Sequence, residues 1–147
     1  MRVLVLSGPN LHRLGKRQPE IYGVQTLEDV HALVRGRAAE RGAEAECRQS
    51  NYEGELVEWI GEAKSQGHLG ILLNPGALTH SSYALYDALL GAEVPAVELH
   101  LSNPDAREAF RHTSTVAAAC IGRIAGFGVN SYLLALDGLL EYLAARK

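Results

Sequence analysis

A doubly wound α/β sandwich is the fold class that this 147-residue sequence predicts, and three observations predict it. Short apolar runs of strand length alternate with helical patterns in a regular order. The intervening helical segments run to about ten residues or more, so successive strands pair in parallel through right-handed crossovers that put helices on both faces of the sheet. No internal repeat, low-complexity linker or shift of composition divides the chain. Five strand-like runs then give a three-layer sandwich around a five-stranded parallel sheet in flavodoxin-like order, as one domain spanning residues 1–147.

The first strand reads Arg2 to Ser7. Thr26 is an N-cap with Asp29 at the third helical position, opening a helix from Leu27 to about Arg41 that Gly42 stops. A second strand covers Ala45 to Gln49. Ser50 and Asn51 offer capping oxygens to a helix from about Glu53 to Gln66, with Leu56, Val57, Ile60 and Ala63 on one face and Gly67 at its end. GILLN, Gly70 to Asn74, is the third strand. A helix from about Ser82 to Leu90 leads to the fourth, Ala96 to Leu101, and a helical turn occupies Asp105 to Phe110. The fifth strand lies near Ala119 to Ala125. A last helix, Ser131 to Ala145, carries Leu133, Leu134, Leu136, Leu140 and Leu143.

Composition narrows the function. The chain is 47% hydrophobic and 21% charged with a net charge of -3 and no basic block, which argues against nucleic-acid and membrane-surface binding. At this length roughly 70% of the extended chain's surface is buried on folding, enough for a core without staples. Cys47 and Cys120 sit in apolar segments far apart and read as free buried thiols of a reducing compartment. The first apolar run is too short for a signal peptide and no run approaches membrane-spanning length, so the expected location is cytoplasmic.

In a doubly wound sheet ligands bind beyond the carboxyl ends of the strands. Those ends carry Gly8-Pro9-Asn10, then Asn74-Pro75-Gly76 with Thr79 and His80, then His100-Leu101-Ser102-Asn103. Glu98 and His100, two apart on one strand, share a face, where the carboxylate can fix the imidazole's tautomer and raise its basicity. A phosphate site fails on detail: neither glycine-rich fingerprint is present, and Pro9 removes a backbone donor where a nest needs one. The histidines show no paired ligand spacing, so no metal is expected, and no serine-nucleophile elbow occurs. No cofactor motif is present. The remaining candidates are an acid, a base and cations: His100, Tyr22, Arg17 and Arg111.

Tyr22 and Arg17 lie in SGPNLHRLGKRQPEIYG, a long irregular segment behind the first strand. A tyrosine at its reference pKa of about 10 is only about a thousandth ionised at neutral pH. Lowering that value by two to three units takes roughly 3 to 4 kcal/mol, about what one cation at about 4 Å supplies at an effective dielectric near 20. A lid carrying both groups over the strand ends would assemble a strong base while excluding water. With His100 as proton donor, such a pair suits removal of a proton next to a carbonyl and elimination of water. The lid is expected to be the least ordered part of the empty protein.

Five ordered motifs, GPNLHRLGKRQPEIYG, QSNYEGELVEWI, ILLNPGALTH, VELHLSN and REAFRHTS, resemble the type II 3-dehydroquinate dehydratases of the shikimate and quinate pathways, from Val3 to about Leu136. The resemblance implies a flavodoxin-like fold, a homododecamer built as a tetramer of trimers, and cofactor-free, metal-free anti elimination through an enolate that turns 3-dehydroquinate into 3-dehydroshikimate. It implies Tyr22 as the base for the C2 proton and Arg17 as the cation that keeps it ionised. Asn10 would hold the water that hydrogen-bonds the enolate oxygen. His100 would be the general acid for the C1 hydroxyl, oriented by Glu98. Asn74 with the amides of Leu101 and Ser102 would hold the substrate carboxylate. His80, Asp87 and Arg111 would bind ring hydroxyls, Asp87 being a candidate to reach in from a neighbouring subunit. Tyr86, Pro104-Asp105, Thr113 and Ser131 depart from the family's usual residues and none removes a catalytic group.

Each of these residues has a plainer alternative. Tyr22 can cover core beneath a loop, Arg17 can be a solvated cation, His100 a satisfied core histidine, Asn10 and Asn74 turn formers beside proline, and Asp87 a surface charge. A non-catalytic module of the same fold would be expected to lack Tyr22, Arg17 or His100, and the chain has all three. An enzyme of this fold acting on another cyclic hydroxy-acid stays open.

Overall fold

The computed structural model describes residues 1–16, 18–22 and 24–146, the side chains of residues 21 and 22 excepted. Its strands are β1 (Arg2–Ser7), β2 (Glu44–Gln49), β3 (Gly70–Asn74), β4 (Ala96–His100) and β5 (Gly122–Ala125), and its helices α1 (Pro19–Tyr22), α2 (Leu27–Glu40), α3 (Glu53–Glu62), α4 (Tyr83–Gly91) and α5 (Asn130–Ala144). The strands form one parallel sheet in the order β2-β1-β3-β4-β5, the expected flavodoxin-like arrangement.

Side-chain alternation along the strands divides the core in two. Val3, Val5, Leu72, Val97 and Leu99 face Val30 and Val34 of α2 and Leu136, Leu139 and Leu140 of α5. Leu4, Leu6, Ile71, Leu73 and Ala96 face Leu56 and Ile60 of α3 and Leu85 and Leu89 of α4. Each fully buried Leu or Ile contributes about 1.5 to 3 kcal/mol, and the near-continuous apolar runs of β1 and β3 reflect burial on both faces. Glu98 and His100 follow Ala96 on the α3/α4 face of β4, so the pleat puts both polar groups on one side as their spacing predicts.

The expected cap acts in α2, and α4 gains one that was not anticipated. Thr26 and Asp29 form a reciprocal capping box, and the Ser82 hydroxyl accepts from Leu85 N. Other boundaries move for identifiable reasons. Helix α3 ends at Glu62, not near Gln66, because the chain tightens into turns before Gly67 at φ +87. Asn51 does not cap α3. Its Oδ1 accepts from Asn10 N at 3.0 Å and from Gln49 Nε2 at 3.1 Å, tying β2 to the loop after β1. The helical turn expected at 105–110 is two 3-10 turns, Pro104–Ala106 and Ala109–Arg111, and β5 starts only at Gly122 because Ala117–Ala119 is itself a 3-10 turn. On α5 the deepest residues include Tyr132 and Leu139, whereas Leu134 is exposed. Cys47 and Cys120 are free and partly buried, and burial pushes their thiols up to about 11 and about 12.

Candidate active site

The carboxyl ends of β1, β3 and β4 open into a cleft, and register explains why they meet: Ser7 pairs with Asn74 across β1 and β3, and Leu73 with Glu98 across β3 and β4. The cleft is lined by Asn10, Leu11 and Leu14 from the first loop, Asn74, Gly76 and His80 from the third, and His100, Leu101, Ser102, Pro104, Arg107 and Arg111 from the fourth. Close backbone approach makes the junction possible. Gly8 N donates to Asn74 O at 2.8 Å, and a Cβ on Gly8 would lie 2.6 Å from Pro75 O.

Glu98 is fully buried beneath this floor. His100 Nε2 donates to its Oε2 at 2.6 Å, Thr79 Oγ1 to the same oxygen at 2.5 Å, and Ser114 Oγ to Oε1 at 2.8 Å. The Ser114 oxygen itself accepts from Val116 N and Ala117 N, which aims its proton at the carboxylate. Burial alone would raise the Glu98 carboxyl; the bonds from His100 and Thr79, the nearby imidazole and the bond from Ser114 outweigh it and hold the group at about 2. With Nε2 committed to Glu98, Nδ1 is the His100 nitrogen left for a ligand. His80 donates Nδ1–H to Thr113 O at 2.9 Å, and burial, with His100, Arg111 and Arg123 nearby, lowers its tendency to be charged.

Asn74 is anchored from below. Its Nδ2 donates to Tyr132 OH at 3.1 Å, its Oδ1 accepts from Gly76 N at 3.2 Å, and Tyr132 OH lies 2.8 Å from Ser7 Oγ. One amide proton remains for a ligand. Arg111 is held by Glu108 at 2.9 Å and stacks on Phe110 at 4.7 Å. Two guanidinium groups, two imidazoles and asparagine amides around a small apolar wall suit a compact anion that also carries hydroxyls.

The fit to a known protein family is direct. Residues 1–140 match the family model described as dehydroquinase class II. The chain belongs to the class II dehydroquinase family. A 3-dehydroquinate dehydratase of Deinococcus radiodurans is 54% identical over 141 residues, covering 96% of this chain and 99% of that protein. Among solved structures, a type II dehydroquinase from Butyrivibrio crossotus superposes with TM-score 0.93 at 42% identity, covering 95% of this chain and 97% of its own. One from Propionibacterium acnes gives 0.91 at 42% identity, with 95% and 96% covered.

Against the residues expected from sequence, the cleft brings together Asn10, Asn74, His80, His100, Leu101, Ser102 and Arg111, with Glu98 behind His100. Arg17 and the side chain of Tyr22 lie outside the described residues, so the base and its cation, like the order of the lid, carry no geometry. Asp87, on α4, does not line the cleft of its own chain. Arg107 is a charged lining residue to which the sequence gave no role: its Nη1 donates to Ser102 Oγ at 3.2 Å. It lies in the REAFRHTS motif four positions before Arg111, and that spacing was the available signal. The bonds of Thr79, named above only as a strand-end group, and of Ser114 to Glu98 also emerge only in three dimensions. Among the described residues no group of three or more His, Cys, Asp or Glu side chains could hold a metal ion, and no helix is long and apolar enough to cross a membrane.

Proposed function

We propose that this chain dehydrates 3-dehydroquinate to 3-dehydroshikimate, as the names of its curated relatives suggest, by anti elimination through an enolate and within the shikimate or quinate pathway. The observation that carries this reading is the buried Thr79/Ser114–Glu98–His100 chain ending at the ligand cleft, a proton donor held in one orientation beside groups that suit a carboxylated, hydroxylated ring.

Tyr22, ionised beside Arg17, takes the C2 proton, and the electron pair moves to the carbonyl oxygen as an enolate. A water held by Asn10 hydrogen-bonds that oxygen. The enolate collapses, the C1 hydroxyl departs as water with the proton of His100 Nδ1, and the C1–C2 double bond forms. Asn74 and the amides of Leu101 and Ser102 hold the substrate carboxylate, while His80, Arg111 and Asp87 of a neighbouring copy hold ring hydroxyls. The chain is one catalytic domain assembled as a homododecamer.

The enone product absorbs in the ultraviolet, so growth of that absorbance with purified protein and 3-dehydroquinate is the expected outcome, with and without EDTA. No absorbance change would refute the dehydratase reading, and loss on chelation alone would refute a metal-free reaction. Tyr22→Phe is expected to lower kcat by about 10²- to 10⁴-fold, the usual contribution of a positioned base; near-normal turnover would remove Tyr22 from that role.

A further inference from the structure

Strand β5 places a third charged side chain behind the acid. Arg123 is the register partner of Glu98 across β4 and β5, and its Nε lies 3.3 Å from Glu98 Oε2, the oxygen that also accepts from His100. The guanidinium Nε and Nη2 are buried and have no hydrogen-bond partner among the described residues. The side chain is 28% exposed as a whole, but burying two of its N–H groups without hydrogen bonds is costly unless an opposite charge compensates. Glu98 is the carboxylate that does so here.

We infer that Arg123 is a positioning residue for the general acid: its guanidinium fixes the Glu98 oxygen that faces His100 and offsets part of that carboxylate's charge, so that His100 parts with its proton more readily. The inference rests on the dehydratase reading and on His100 as its acid. Glu98 alone, 2.6 Å from Nε2, would hold the ring's protons tightly and make His100 a reluctant donor. A cation sharing the same carboxylate oxygen draws on its charge and weakens that hold while the 2.6 Å bond still sets the ring.

The other titratable or charged groups around the pair are His80 from the loop after β3, which feels His100, Arg107 and Arg111, which line the cleft together with His100, and Cys120 at the approach to β5, which feels Glu98. The hydroxyls of Thr79 and Ser114 complete the shell and carry no charge.

The test is the pH dependence of kcat on 3-dehydroquinate in the wild type and in Arg123→Gln, Arg123→Leu and Arg123→Lys. A general acid is lost as pH rises, so the basic limb reports His100. Removing the cation strengthens the hold of Glu98 on the imidazolium, and the basic limb is expected to move up by about one pH unit while kcat at the optimum falls about tenfold and KM changes less. Arg123→Lys is expected to keep the limb near the wild-type position. A limb that stays in place in a folded Gln or Leu variant overturns the proposal. Failure of both variants to fold, seen by circular dichroism, also overturns it, because Arg123 is then a stability element only. An inactive wild type would instead sink the dehydratase reading, so the two failures are separable.

Discussion

At the residue scale the informative group is Glu98, because one carboxylate takes hydrogen bonds from three segments while sitting fully buried. Its folded value of about 2 lies below the ordinary 4.5, so the sign of its linkage is fixed: the stabilisation is complete above 4.5 and is lost as pH falls towards 2. His31 and His80 contribute earlier. Both are lowered from 6.5, chiefly by burial, so the neutral ring is favoured in the fold and stability declines once pH drops below 6.5. Urea titrations at pH 3, 5 and 7 should therefore show stability falling in two stages, and Glu98→Gln should shrink the lower stage, to which the lowered carboxyls of Glu46 and Asp137 also contribute, while leaving the upper one. An unchanged slope below pH 4.5 in that variant would mean Glu98 is not the group responsible. The pairing of Glu98 with His100 was legible because residues two apart on a strand must share a face. Thr79, Ser114 and Arg123 were not legible, since their positions relative to Glu98 follow from sheet register and loop closure, which no linear spacing encodes.

At the element scale, strands and capped helices were the readable part: continuous apolar runs and a capping box act locally, so β1, β3 and the start of α2 fall where the sequence puts them. Helix α5 was half read. Its leucines marked a helix, but the residue that serves the cleft is Tyr132 at its first turn, fully buried with its hydroxyl between Ser7 and Asn74 and pushed up to about 12 by burial. This hydroxyl ties α5 to the ends of β1 and β3. Tyr132→Phe strands the buried Ser7 and Asn74 groups, and a loss of about 1 to 3 kcal/mol is expected from denaturation midpoints. It also frees the Asn74 amide to turn, so KM for 3-dehydroquinate should rise more than kcat falls. The opposite pattern, kcat lost at constant KM, would exclude Asn74 as a carboxylate anchor. Gly8→Ala probes the same junction from above: its new Cβ would meet Pro75 O at 2.6 Å, backbone against backbone. A cost of about 1 to 3 kcal/mol is expected, with weakened substrate binding as the two strand-end loops part.

At the scale of the whole molecule the question is what completes the cleft. Asp87 has no place in the cleft of its own chain, yet it lies on α4 three positions before Leu90 and four after Tyr83, so all three share one helix face. Tyr83 is 74% exposed and Leu90 56%, while Tyr52, at the start of the adjacent α3, is 74% exposed. A carboxylate inside an apolar, solvent-facing stripe is what a subunit contact would present to a neighbour's site. Sedimentation should give a mass several times the 15.9 kDa of one chain, and a monomer would end the argument at once. The decisive measurement is complementation. On the proposed roles, His100→Ala removes the acid from its own cleft and Asp87→Ala removes a ring contact from the adjoining one, so each homogeneous assembly is expected to be nearly inactive. Denatured together in equal amounts and refolded, the two variants form mixed assemblies in which about a quarter of the clefts combine an intact His100 with an intact Asp87 from the next copy. Recovery of about a quarter of wild-type activity is the expected outcome. If mixed assemblies form, as differential tagging would reveal, and activity stays at the level of the single variants, then Asp87 does not act across the contact and the cleft is complete within one chain.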